Sequence, residues 1–189
     1  MNYNLIIIGG GPAGTGILFK ALKDNSFDSL LDKGLAIVEK SCELMIGNLS
    51  KYHVNSDTLS SVFLECIEGD TVKKINTTSL YKEIEAIKSY EGRPIPLYCL
   101  KEYFTKLGQL LIAKIQAHPN CDVFLNTCVN EINQNNSKEF TITINNKLIN
   151  GAHILIATGG TPSSKSTYKW SKDRIFSLDK YKAKMVHSD

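Results

Sequence analysis

Tyr3-Asn4-Leu5-Ile6-Ile7-Ile8-Gly9-Gly10-Gly11-Pro12-Ala13-Gly14 is the stretch on which the fold turns. Its first half is a short apolar, β-branched run ended by glycine, the pattern of a buried strand. Its second half opens a helix predicted from Pro12 to about Asp24, with Ile17, Leu18, Ala21 and Leu22 forming an apolar face. Each glycine of Gly9-x-Gly11-x-x-Gly14 has a physical reason. Gly9 permits the tight strand-to-helix turn, Gly11 lets a pyrophosphate approach a backbone without Cβ, and Gly14 lets the helix pack close to the strand. The helix start presents free N–H groups and a positive dipole end. Pro12 is tolerated there because its missing N–H costs nothing in the first turn.

Outward from this turn, Phe27 to Gly34 reads as a connection with some helical character, and Leu35 to Glu39 as a second buried strand closed by an acid. Strand–helix–strand in this order calls for a parallel pair with a right-handed crossover. Glu39 stands where a carboxylate accepts hydrogen bonds from the ribose hydroxyls of a dinucleotide. It follows Gly14 by 25 positions, somewhat more than the usual spacing of about 20, and the segment 25–34 absorbs the excess. A 2′-phosphate beside Glu39 would be repelled, so the site suits FAD or NAD and not NADP. The motif and its setting leave FAD and NAD both open.

The remaining chain is mixed. Residues 41–56 read as a loop containing Gly47, 57–68 as a helix with Leu59, Val62, Phe63 and Cys66 on one face, and 79–90 as another. Gly92 to Pro96 breaks the chain before a longer helix, about 100–118, carrying Tyr103, Phe104, Leu107, Leu110, Leu111 and Ile115 at helical spacing and stopped by Pro119-Asn120. The period then changes to two. Segments 122–125, 128–132, 139–144 and 148–156 are strand-like, the middle ones forming a small antiparallel meander, and 153–157 is a last buried strand ending in Ala157-Thr158-Gly159-Gly160. The fold class is thus α/β, a parallel sheet with helices plus a small antiparallel β-meander.

Bulk properties exclude more than they assign. The 189 residues suit one domain, 42% of them are apolar, and the net charge of +3 gives no reason to propose nucleic acid or a membrane surface as partner. Five scattered cysteines, Cys42, Cys66, Cys99, Cys121 and Cys128, without C-x-x-C argue against a disulfide framework or a zinc site and suit a reduced, cytoplasmic protein.

The N-terminal run resembles the signature of the two-dinucleotide-binding-domain flavoproteins, the FAD/NAD(P)-dependent oxidoreductases, in which Gly-Gly-Gly-Pro-Ala-Gly is typical of FAD domains. The likeness continues in Leu35-Ala-Ile-Val-Glu39-Lys40, in Thr127-Cys128-Val129-Asn130-Glu131-Ile132, and in Ile154-Leu-Ile-Ala157-Thr158-Gly159-Gly160. It implies a Rossmann-like FAD-binding domain over residues 1–162, with a polar tail or linker at 163–189. It implies cofactor contacts from Gly9, Gly10, Gly11, Pro12, Ala13, Gly14, Glu39, Lys40 and Gly47. It further implies an adenine contact from the Val129 backbone and close passage of Ala157, Thr158 and Gly159. Cys42 has Gly47 at the position where a disulfide reductase would place its second cysteine, which disfavours that branch. The loop from Gly47 to Tyr52, followed by Asn55-Ser56-Asp57, is similar in placement to the flavin-side loop of flavin-containing and N-hydroxylating monooxygenases. Met185-Val186-His187-Ser188-Asp189 is similar to the segment leading to their NADPH domain. His53, Tyr52, Asn55 and Asp57 are candidates near the flavin, with a hydrogen-bonded loop the plainer reading for His53. The plainer reading of His118 is a favourable charge at a helix end.

A complete member of that superfamily carries a second dinucleotide domain for NADPH and a return segment against the flavin, and neither is present in these residues. The expectation is therefore the FAD-binding part of a flavin-dependent, monooxygenase-like oxidoreductase. NADPH would be bound only in a longer or assembled form, through a homodimer, a further domain or a partner subunit. A non-enzymatic FAD-binding scaffold and an NAD-dependent enzyme remain as alternatives.

Overall fold

The computed structural model describes residues 2–69, 75–136 and 139–159. Met1–Thr158 forms one compact unit, and a second begins at Gly159. The segments 160–162 and 185–189 singled out in the sequence lie outside the described residues.

Strand β1 (Asn2–Ile8) leads into α1 (Pro12–Lys23), then α2 (Phe27–Asp32) and β2 (Leu35–Val38). β1 and β2 are parallel, with Leu5 opposite Leu35 and Ile8 opposite Val38. β5 (Cys121–Phe124) lies outside β2, and β8 (Lys147–Ile156) lies on the other side of β1, both parallel to their neighbours. β7 (Phe140–Ile144) runs antiparallel to β8, and β6 (Val129–Gln134) antiparallel to β7. The order is β5-β2-β1-β8-β7-β6 in one sheet. The meander expected from the sequence is therefore continuous with the parallel sheet. Residues 147–151 of β8 pair with β7, while much of 150–156 runs beside β1.

The strands alternate, so β1 and β2 divide their apolar residues between two cores. Ile7, Leu35 and Ile37 face α1, α2 and the long helix α4 (Lys101–Gln116), meeting Leu18, Leu22, Phe27, Leu107 and Leu111. Ile6, Ile8, Ala36 and Val38 form the second core with Ile142, Ile144 and Ile149 of the meander. Both faces are covered, which is why these strands read as unbroken apolar runs.

Several sequence expectations shift. Ile17 is 42% exposed; the buried stripe of α1 is Thr15, Leu18, Phe19 and Leu22, at i, i+3, i+4 and i+7, and Ile17 lies off it. Residues 57–68 do not form one helix. Asn55–Leu59 is a strand, β3, paired antiparallel with β4 (Pro94–Pro96), and Ser60–Ile67 is a 3-10 helix. Leu59 and Val62 face outward, and the buried apolar positions are Leu64 and Ile67, three apart as the tighter helix demands. Short 3-10 turns at Thr77–Leu80 and Leu97–Leu100 precede α3 (Tyr81–Lys88) and α4. The end of β8 is not buried as expected, since Ile156 is 61% exposed. Among the described residues no helix is long and apolar enough to cross a membrane, and no cluster could hold a metal ion.

Candidate functional site

The loops that follow β1, β2, β5 and β8 meet at the carboxyl ends of the parallel strands, the edge where open α/β sheets bind ligands. Backbone bonds knit them together. Gly9 N–H donates to Val38 O at 2.9 Å, Ala157 N–H to Ile8 O at 2.8 Å, and Thr127 N–H to Glu39 O at 2.9 Å. The four blocks quoted from the sequence, far apart along the chain, thus come to one place.

The glycines of the turn do different things. Gly9 has φ +99°, and a Cβ there would run into the carbonyl oxygen of Ala157. A Cβ on Gly14 would run into the carbonyl oxygen of Gly9, and one on Gly10 into the Leu44 side chain. These three positions are closed by the protein itself. At Gly11 the nearest atom to an added Cβ is Gly47 Cα at 3.8 Å, an ordinary contact. Gly11 is the N-cap of α1, no side chain caps that helix, and its first turn holds no acid. The cradle is therefore open at the glycine assigned to a pyrophosphate, with an uncompensated positive helix end beside it. Pro12, Ala13 and Lys40 are exposed around it.

Glu39 is 8% exposed. Its Oε2 accepts from Gly10 N–H at 2.6 Å and its Oε1 from Ser41 N–H at 2.8 Å. The carboxylate expected to hold a ribose also ties the end of β2 to the glycine turn, and each oxygen keeps acceptor capacity for a hydroxyl. Glu39→Ala would leave both amide donors without this partner. Charge-assisted bonds of this kind contribute about 1.5–3 kcal/mol each, so we expect a loss of about 3 kcal/mol in urea unfolding. An unchanged midpoint would show that Glu39 does not brace the turn.

Other expected residues are placed as follows. Val129 opens β6 opposite Ile144 and packs on the second core. Gly47, at φ +49°, lies against Gly11, with the position of its Cβ 3.4 Å from Pro12 Cδ. Thr158 adjoins Gly9, and Gly159 has φ +71°. His53 packs its exposed ring on Tyr98, centroids 5.1 Å apart. Asn55 and Asp57 are exposed on β3, and Tyr52 is half-buried. His118 lies at the opposite edge of the sheet, Nε2 3.0 Å from Asp32 Oδ1, so its partner is a carboxylate on α2. All five cysteines are free. Sequence reasoning missed Leu44 and Met45, which close over Gly10, and Gly108 of α4 behind them. The available signal was a glycine inside a strong helical pattern.

None of the protein-family models matches the chain. A curated relative, the CMP-5'-(3-aminopropyl)phosphonate hydroxylase of Streptomyces rubellomurinus, is 28% identical over 133 residues, covering 69% of this chain and 30% of its own length. The ornithine hydroxylase of Pseudomonas aeruginosa superposes with a TM-score of 0.59 at 15% identity, over 87% of this chain and 41% of that one. An open structure of cyclohexanone monooxygenase gives 0.52 at 12% identity, over 84% and 27%. The bacillithiol disulfide reductase of Bacillus cereus gives 0.51 at 17%, over 84% and 40%. The chain thus spans less than half the length of each of these relatives. At these identities the structural likeness establishes the fold alone, a Rossmann-like α/β fold shared with these enzymes.

Proposed function

We propose that this chain is the FAD-binding part of a flavin-dependent oxidoreductase of the monooxygenase type. The observation that carries the reading is the contrast within the turn: Gly9, Gly10 and Gly14 are closed by packing, while Gly11 faces an opening at the start of α1. The residues present suit the ADP half of the cofactor. Amides of the first turn of α1 would face the pyrophosphate, Lys40 would add a cation, and Glu39 would accept from the ribose hydroxyls. Val129 and the Ala157–Thr158 turn would pass beside the adenine and the remainder of the cofactor. Bound there, FAD supplies two-electron redox chemistry and reaction with O₂, which side chains cannot provide. The part of this chain is to bind and orient, with Glu39 holding the turn in shape beforehand.

The hydroxylase named as the sequence relative supports the monooxygenase branch. Its substrate, as named, carries an aminopropyl group, and we propose an amine-bearing substrate here. NADPH would be bound at a second site, in further sequence or in a partner subunit, and we propose a soluble, cytoplasmic setting. The same turn with Glu39 also suits NAD, which makes an NAD-dependent enzyme the second reading; an FAD-binding scaffold is the third.

The test is a visible absorbance scan of the purified chain after incubation with FAD and desalting, with calorimetric titration of FAD, NAD and NADPH. Retained flavin absorbance, with FAD bound more tightly than NAD, is the expected result. Tight NAD binding without FAD would move the assignment to the second reading. Binding of neither by a folded chain would overturn the site. NADPH consumption by the FAD-loaded chain, alone or with a partner, separates enzyme from scaffold.

A further inference from the structure

Helix α4 carries a glycine in its middle, where alanine is the better helix former. Gly108 is buried, and a Cβ built on it would lie 2.7 Å from the carbonyl oxygen of Leu44 and 3.1 Å from its carbonyl carbon. Both are backbone atoms, which no rotamer change can move aside. Leu44 is itself 1% exposed, and its side chain occupies the space a Cβ on Gly10 would need. The next residue, Met45, donates its N–H to Gly10 O at 2.7 Å. Two residues on, Gly47 stands against Gly11. The segment from Leu44 to Gly47 is therefore held between two glycines, Gly108 on α4 and Gly10 in the turn, with no clearance on either side.

We propose that Gly108 is a positioning residue for the nucleotide site: by letting α4 approach the Leu44 carbonyl, it sets how far the Leu44–Gly47 segment stands from the glycine turn. It thereby sets the opening at Gly11. This rests on the reading of that turn as the FAD site. Gly108 touches no cofactor; it acts through Leu44 and Met45. A side chain at 108 pushes Leu44 toward Gly10, strains the Met45–Gly10 bond and narrows the gap between Gly47 and Gly11.

The experiment compares Gly108→Ala, Leu44→Ala and the double variant in the full chain. It has two readouts: hydrogen exchange of the Met45 amide without cofactor, and the dissociation constant for FAD. Gly108→Ala is expected to speed Met45 exchange about tenfold and to weaken FAD about tenfold, while the Leu111 and Ile115 amides of α4 keep their protection. Leu44→Ala, which leaves α4 intact, loosens the segment from the Gly10 side and speeds Met45 exchange similarly. In the double variant the two changes compensate, and both readouts return toward the wild type, which simple loss of packing would not do. Gln109→Ala, exposed on the same helix, leaves both unchanged. Met45 exchange unaltered in Gly108→Ala overturns the positioning role by itself, and so does general loss of α4 protection without compensation in the double variant. If Gly108→Ala does not fold, unaltered Met45 exchange in Leu44→Ala overturns it. A wild-type chain that binds no FAD overturns the reading beneath it, so the two failures are distinguishable.

Discussion

Gly14→Ala is expected to cost about 3 kcal/mol or more of stability, the upper end of what overpacking costs when a core cannot relax. The added Cβ would collide with the carbonyl oxygen of Gly9 and come within 3.2 Å of Ile7 Cγ2. Gly9 cannot retreat. Its N–H is bonded to Val38 O at 2.9 Å, and it is wedged against the Ala157 carbonyl. The only relief is for α1 to lift from β1, which exposes Leu18 and Leu22, both fully buried. Helix propensity alone predicts the opposite sign, because alanine is favoured over glycine in a helix by about 1 kcal/mol. Urea unfolding followed by circular dichroism decides between them. A midpoint equal to or above that of the unaltered chain would refute the close packing of α1 on β1.

Gly11→Ala should do the reverse: leave the fold intact and remove the ligand. Its φ of −69° is open to any residue, and the new methyl meets Gly47 Cα at an ordinary 3.8 Å. Stability is expected to change by less than about 0.5 kcal/mol, or to rise slightly as the unfolded chain loses freedom. FAD affinity is expected to fall about 100-fold, or about 2.8 kcal/mol, because the methyl stands where a phosphate oxygen must reach backbone N–H groups. Calorimetric titration beside the same urea curve reads both quantities. Unchanged affinity in a folded Gly11→Ala chain would mean that the pyrophosphate is not bound at this turn. Together the two substitutions separate a glycine needed for packing from one needed for a ligand, within a single motif.

The glycine turn was legible in the sequence because its constraints are local. A tight turn, a helix start and an acid closing the next strand leave a mark on the residues that form them. β1, α1, β2 and α4 were legible for the same reason, since each buries a face whose period is written in its own residues. Less local matters escaped. Asn55–Leu59 is polar and became a strand only because residues 94–96 pair with it. That the meander and the parallel strands form one sheet depends on β8, which pairs with both β7 and β1.

The residue types therefore determined the class of fold, the parallel β1–β2 pair and the glycine turn that joins β1 to α1, since chain sterics and burial periodicity act over a few residues. Only the tertiary structure decided that Glu39 grips Gly10 and Ser41, that Ala157 closes on Gly9, and that Gly108 makes room for Leu44. Ser41 apart, which is two positions from Glu39, those contacts join residues from 29 to 148 positions apart. No local pattern records them, because their energies depend on distances set only when the sheet and α4 have packed.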